Sequence, residues 1–215
     1  MPANSERSAD DALVIAAIRH AAQATGTNFD YLLTIARIES GLDPRARAPT
    51  TSARGLFQFL EQTWFLTIKA YGARHGYGRY ADAIAKTGSG PYEVLQSALR
   101  QEILNLRDDP KANALMAGAF TQSNVALLTQ RLGRMPNDAE LYIAHFLGAN
   151  GAARLIELAT SKPDQKATDY FLEAARANAS IFYERATAAP RTFAQVLKEL
   201  VSRYDRHRSK VEPPD

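Results

Sequence analysis

A chain of 215 residues without a single cysteine excludes disulfide scaffolds and thiolate metal sites. Hydrophobic residues make up 46%, enough for a packed core and too many for a disordered chain. The 26 lysines and arginines against 23 aspartates and glutamates give a net charge of +3, a mild basicity that suits an acidic polymer but lacks the dense basic stripe of a nucleic-acid binder. No apolar run nears the roughly 20 residues of a membrane helix, so no integral membrane segment is expected. The opening "MPANSERSADD" carries no apolar signal core.

The pattern is helical almost throughout. Over 10–25, "DDALVIAAIRHAAQAT" places Leu13, Ala16, Ala17 and His20 at helical spacing, and Gly26 stops the helix. Asn28 caps the next helix, predicted over 29–40 and ended by Gly41 and Pro44. The stretch 43–52 is rich in Pro, Thr, Ser and Arg and reads as a loop. A third helix is predicted over 60–75, followed by short helical pieces and a break at "TGSGPYE". Two longer helices, over 92–107 and 110–132, are parted by "RDDP". Gly148 divides a helix over 138–147 from one over 149–159, and helices over 168–186 and 192–204 complete the pattern. No strand alternation and no internal repeat is visible. The expected organisation is a flexible N-terminus over 1–9, one all-α domain over 10–204 and a charged tail over 205–215.

One residue breaks the rule of apolar stripes. Leu32, Ile35, Ala36 and Glu39 follow the i, i+3, i+4, i+7 spacing of a single helix face, and the fourth is an acid. Glu39 falls in the last turn, at the negative end of the helix dipole. An apolar surround and a negative dipole end both disfavour a carboxylate, the condition a general acid needs. Spacing alone favours the plainer reading, a helix-end glutamate that swings into solvent.

The residues around it decide between these. "ESGLDPRARAPTTSARGLFQF" resembles the signature of the lytic transglycosylase SLT domain, the goose-lysozyme-like glycoside hydrolase family 23. The matching residues are Glu39 and Ser40, Asp43 and Pro44, Ser52 and Ala53, then Gly55, Leu56, Phe57 and Gln58. Further on, "AHFLGANGAARLI" is similar to the family's Ala-Tyr-Asn-Ala-Gly segment: Gly148 keeps the glycine, while His145, Phe146 and Leu147 stand where the family has Tyr, Asn and Ala. Near the C-terminus, Asn178 would replace a further family tyrosine. The resemblance implies a lysozyme-like (goose-type) helical domain. The distance from Gln58 to Ala144 implies a helical insertion between the two motif regions, approximately 66–136.

By this resemblance Glu39 is the single catalytic acid/base, and the implied reaction cleaves the β-1,4 bond between N-acetylmuramic acid and N-acetylglucosamine, closing a 1,6-anhydro ring. Ser40 beside it helps position the substrate. Gln58 bonds the sugar's N-acetyl group, since an amide offers both donor and acceptor. Phe57, His145, Phe146 and Gly148 are the remaining candidates for sugar contact. Phe59, Tyr142, Phe182 and Tyr183 are further candidate platforms, although aromatics at helical spacing are core more often than cleft. Asp43 reads as a turn device rather than a second catalytic acid. Glu61, Glu102 and Glu140 have no spacing that makes them partners. Arg45, Arg47 and Arg54 cluster in the loop and could meet substrate carboxylates. The four histidines, at 20, 75, 145 and 207, lack metal-ligand spacing. No metal and no cofactor is expected.

The implied partner is the peptidoglycan glycan strand, with envelope, secretion or flagellar machinery as a further class. The implied setting is the periplasm, and the expected state a monomer. Two alternatives stand beside this one: a hydrolytic muramidase on the same scaffold, and a non-catalytic module that binds glycan or serves envelope assembly.

Overall fold

A computed structural model describes residues 3–86 and 88–208, with side chains from residue 10 onward. The expected tail over 205–215 is helical as far as Arg208, and the rest of it lies outside the described residues. The chain divides into two compact units, 1–122 and 123–215. That boundary falls within α6, where one continuous domain over 10–204 is the expectation.

In the first unit, α1 (Ala3–Thr25) starts well before residue 10. No glycine or proline interrupts 3–25, so nothing local stops the helix from extending back through the stretch expected to be flexible. Its buried face is Val14, Ala17, Ile18 and Ala21, one step round from the expected stripe, and Leu13 is 66% exposed. The alanine-rich sequence offers two overlapping stripes, and burial follows the branched residues. α2 (Phe29–Ser40) has the predicted bounds: Asn28 Oδ1 accepts the Tyr31 N–H at 3.0 Å, and Gly41 closes the far end in the left-handed region. The corner between α1 and α2 rests on α6 (Pro110–Leu132), where Thr27 Oγ1 donates to the Gly118 carbonyl at 3.0 Å.

α3 (Glu61–Tyr71) is shorter than predicted and passes into a 3₁₀ turn, Gly72–His75. α4 (Gly78–Ala83) leads to a feature the sequence pattern does not show, a small antiparallel hairpin of β1 (Ala85–Lys86) and β2 (Tyr92–Glu93), with Ala85 opposite Glu93. The Gln62 amide pins β2, donating to the Tyr92 carbonyl and accepting its N–H. The helix expected over 92–107 therefore shrinks to α5 (Ser97–Asn105) and a 3₁₀ turn, Leu106–Asp108. Trp64 is fully buried and donates its indole N–H to the Ile103 carbonyl at 2.7 Å, tying α3 to α5.

In the second unit, α7 (Asp138–Ser161) bends at Gly148, whose φ of 73° and ψ of 158° are not helical. Its start is a full capping box between Asn137 and Glu140. The helix expected over 168–186 is broken into a 3₁₀ turn, Ala167–Asp169, then α8 (Leu172–Ala177) and α9 (Ala179–Phe182). Asn178 separates α8 from α9, leaving the helical region at a φ of −137° and giving its side-chain N–H to the Ala174 carbonyl, and Arg191 ends α9 by taking the carbonyls of Ser180 and Ile181 that a continuing helix would use. α10 (Phe193–Arg208) packs along α7, with the Tyr142 and Tyr204 rings 6.0 Å apart. Among the described residues, no helix is long and apolar enough to cross a membrane.

Candidate active site

Glu39 occupies the last turn of α2 and is half-buried there, above the fully buried Leu32, Ile35 and Ala36. The face is therefore apolar along its length and opens to solvent at the acid, a place where a side chain can meet a ligand. Ser40 follows, its Oγ donating back to the Ala36 carbonyl at 3.0 Å. That bond fixes the hydroxyl's direction and leaves its lone pairs as acceptors. Asp43 behaves as a turn device: its Oδ1 accepts the Arg45 N–H at 2.8 Å.

The loop that follows is held as tightly as a regular element. Arg54 pairs with both Arg47 and Phe59 in antiparallel bridges. Gly55 N–H donates to the Ala46 carbonyl at 2.9 Å, and Gln58 N–H to Gly55 at 3.1 Å. Gln58 sits at a φ of 48°, a conformation that non-glycine residues seldom adopt. Its Nε2 supports that conformation by donating to the carbonyls of Gly55 and Ala46, at 2.9 and 3.1 Å. The donor end of the amide is thus spent on the protein, and the oxygen is the end offered to a ligand.

Phe57 does not reach a surface. It is 1% exposed and belongs to the core, so its expected role as a sugar contact is corrected. Along Leu56–Phe59 only Gln58 is partly exposed, and Leu56, Phe57 and Phe59 are all buried. Phe59, Tyr142 and Phe182 are likewise buried, and Phe59 packs edge-on against Trp64 at 5.1 Å.

What holds this loop lies beyond the motif. The Arg107 guanidinium is buried and donates to the carbonyls of Ser52, at 2.7 Å, and Phe59, at 3.1 Å. Burial first, and the neighbouring Arg54 charge second, push Arg107 below the usual arginine range. Asn113 is fully buried, takes the Phe57 N–H on Oδ1 at 3.1 Å and donates Nδ2 to the Arg107 carbonyl at 2.8 Å. Arg54, half-buried, grips both oxygens of Asp108. Arg54 is thereby occupied, and Arg47 stands 3.5 Å from the same carboxylate. Gly55 closes the arrangement: at a φ of 83°, a Cβ there would stand 2.0 Å from the Arg107 carbonyl oxygen. The close approach is to the Arg107 backbone and the Asn113 side chain. Sequence reasoning finds neither Arg107 nor Asn113, because nothing within either segment marks it; the only trace is the break at "RDDP".

Residues 16–89 match the transglycosylase SLT domain family. The SLT domain is a lysozyme-like helical fold, and the all-α architecture described above agrees with it. Members of the SLT family generally act as lytic transglycosylases on peptidoglycan. The SLT match begins inside α1, includes Glu39, Ser40, Gly55 and Gln58, and stops before Arg107 and Asn113. His145, Phe146 and Gly148 also lie beyond it, in the second unit. His145 and Phe146 are half-buried on α7, and Gly148 is the exposed bend. There Phe146 lines a groove of about 570 Å³ with Tyr170, Phe171, Glu173 and Asn178. Three positions where the sequence departs from the family pattern, Phe146, Leu147 and Asn178, thus share one groove.

Proposed function

We propose that this chain is a peptidoglycan lytic transglycosylase with Glu39 as its single acid/base. The observation that carries the reading is the SLT match across Glu39, Ser40 and Gln58, with Glu39 half-buried at the end of an apolar helix face. The Glu39 carboxyl group gives its proton to the oxygen between N-acetylmuramic acid and N-acetylglucosamine. The C1–O bond breaks through an oxocarbenium-like transition state. Glu39, now a carboxylate, takes the proton of the muramoyl C6 hydroxyl, and O6 bonds to C1. The product is a 1,6-anhydro ring, and no water is consumed.

Gln58 presents its amide oxygen to the N–H of a substrate acetamide, while its nitrogen keeps the loop in place. Ser40 offers its hydroxyl oxygen beside the acid. The second unit has a groove of its own, where Phe146 supplies a flat apolar face and Asn178 an amide oxygen for a sugar ring, with His145 and the Gly148 bend next to them on α7. A substrate of this kind places the protein in the periplasm or against the cell wall.

Digestion of purified sacculi followed by mass spectrometry tests the reading. Anhydro-muropeptides are the expected product. Reducing muramic ends would instead make the chain a hydrolase on the same scaffold. No released fragments would leave a glycan-binding module.

A further inference from the structure

The second unit carries a charged groove that the proposed chemistry leaves unused. Arg185, Arg191, Arg203 and Arg206 line it together with Glu199 and His207, around a space of about 440 Å³. Arg191 is fixed in place, since its Nη1 donates to the carbonyls of Ser180 and Ile181, each at 2.8 Å. Arg206 meets Glu199 at 3.5 Å, and His207 Nδ1 lies 2.8 Å from the Arg203 carbonyl oxygen. Among the described residues, Arg185 and Arg203 have no carboxylate partner. Four guanidinium groups therefore face a single acid. Convergent like charges cost free energy that a bound anion removes.

The mixture of charges indicates which anion. A pure polyanion gains nothing from Glu199. A peptide that carries carboxylates beside an ammonium group uses every charge present: guanidinium forks take carboxylates in paired bonds, and Glu199 accepts the ammonium. We propose that this groove binds the stem peptide of peptidoglycan, whose acidic residues and diamino acid supply both signs. The groove then holds the strand by its peptide while the glycan is cut elsewhere. This rests on the reading of the chain as a peptidoglycan enzyme.

Isothermal titration of the full chain with a synthetic stem peptide tests it. Binding is expected, and should weaken at least about tenfold when the peptide's carboxylates are amidated. The double variant Arg185→Glu, Arg203→Glu should weaken it equally, and Lys198→Glu, outside the groove on α10, should not. On sacculi the double variant should raise KM and leave kcat unchanged. Absent peptide binding, equal binding of the amidated peptide, or displacement by inorganic phosphate at equal concentration overturns the proposal. Peptide binding without cleavage of sacculi would sink the catalytic reading and leave the groove standing; cleavage without peptide binding would do the reverse.

Discussion

The carboxamide oxygen of Asn113 accepts the backbone N–H of Phe57 at 3.1 Å, across 56 residues of sequence. Its nitrogen meanwhile donates to the Arg107 carbonyl at 2.8 Å, so one buried side chain joins the motif loop to the start of α6. Asn113→Ala leaves both groups buried and unbonded, and should cost about 2–4 kcal/mol. Asn113→Asp should be at least as harmful, because a carboxylate would face the Arg107 carbonyl. Urea denaturation of the two variants checks this.

Gly55→Ala should disrupt the same junction from the other side. The residue would need a φ of 83°, and its Cβ would overlap the Arg107 backbone. The backbone conformation alone costs about 1–3 kcal/mol, and the overlap adds to that. Loss of stability and loss of sacculus cleavage should therefore appear together.

Gly148→Ala offers a cleaner comparison. A Cβ there meets nothing within 4 Å, so only the backbone conformation is penalised. The expected loss is about 1–3 kcal/mol, read as a lower thermal midpoint of the variant.

Glu140 sets a pH dependence. Its carboxylate is held below the usual range chiefly by hydrogen bonds from Arg134, at 2.6 and 2.8 Å, with the Asn137 N–H adding to the effect against the cost of burial. A lowered native value means the stabilisation is present above the ordinary carboxylate range and disappears as pH falls through that lowered value. The thermal midpoint should hold from about pH 7 to about 5 and decline at more acid pH. Glu140→Gln should lose about 1 kcal/mol near neutrality and show a shallower acid decline. A pH series of thermal melts on both proteins reads the difference.

The motif residues separate by kinetics. Glu39→Gln should reduce anhydro-muropeptide release by about a thousandfold or more while the fold is retained. Gln58→Ala removes two hydrogen bonds within the loop and should cost about 1–2 kcal/mol in stability as well as raising KM. Wild-type rates in Glu39→Gln would remove the acid/base assignment.

Much of this was legible in the chain itself wherever the deciding interactions are local. The bounds of α2 follow from Asn28 and Gly41, each acting within one helical turn. The bend of α7 follows from one glycine. The stretch over 168–186 misleads because its helical pattern is real, but Asn178 takes the Ala174 carbonyl with its side chain and Arg191, from the following loop, takes those of Ser180 and Ile181. Phe57 misleads because the motif names a residue without saying which way it turns.

By itself, the order of residues determined the helical class, the cap-defined helix that carries Glu39 in its last turn, and the glutamine that follows at Gln58. Those features need only neighbours a few positions away, and here the surroundings do not compete for the hydrogen bonds that form them. Tertiary packing alone decided that Phe57 is core, that Gln58 spends its nitrogen on the loop, and that Arg107 and Asn113 hold the loop from 48 and 56 residues away. A buried donor satisfied by a distant carbonyl leaves no local mark in the chain, because its partner is chosen by the fold.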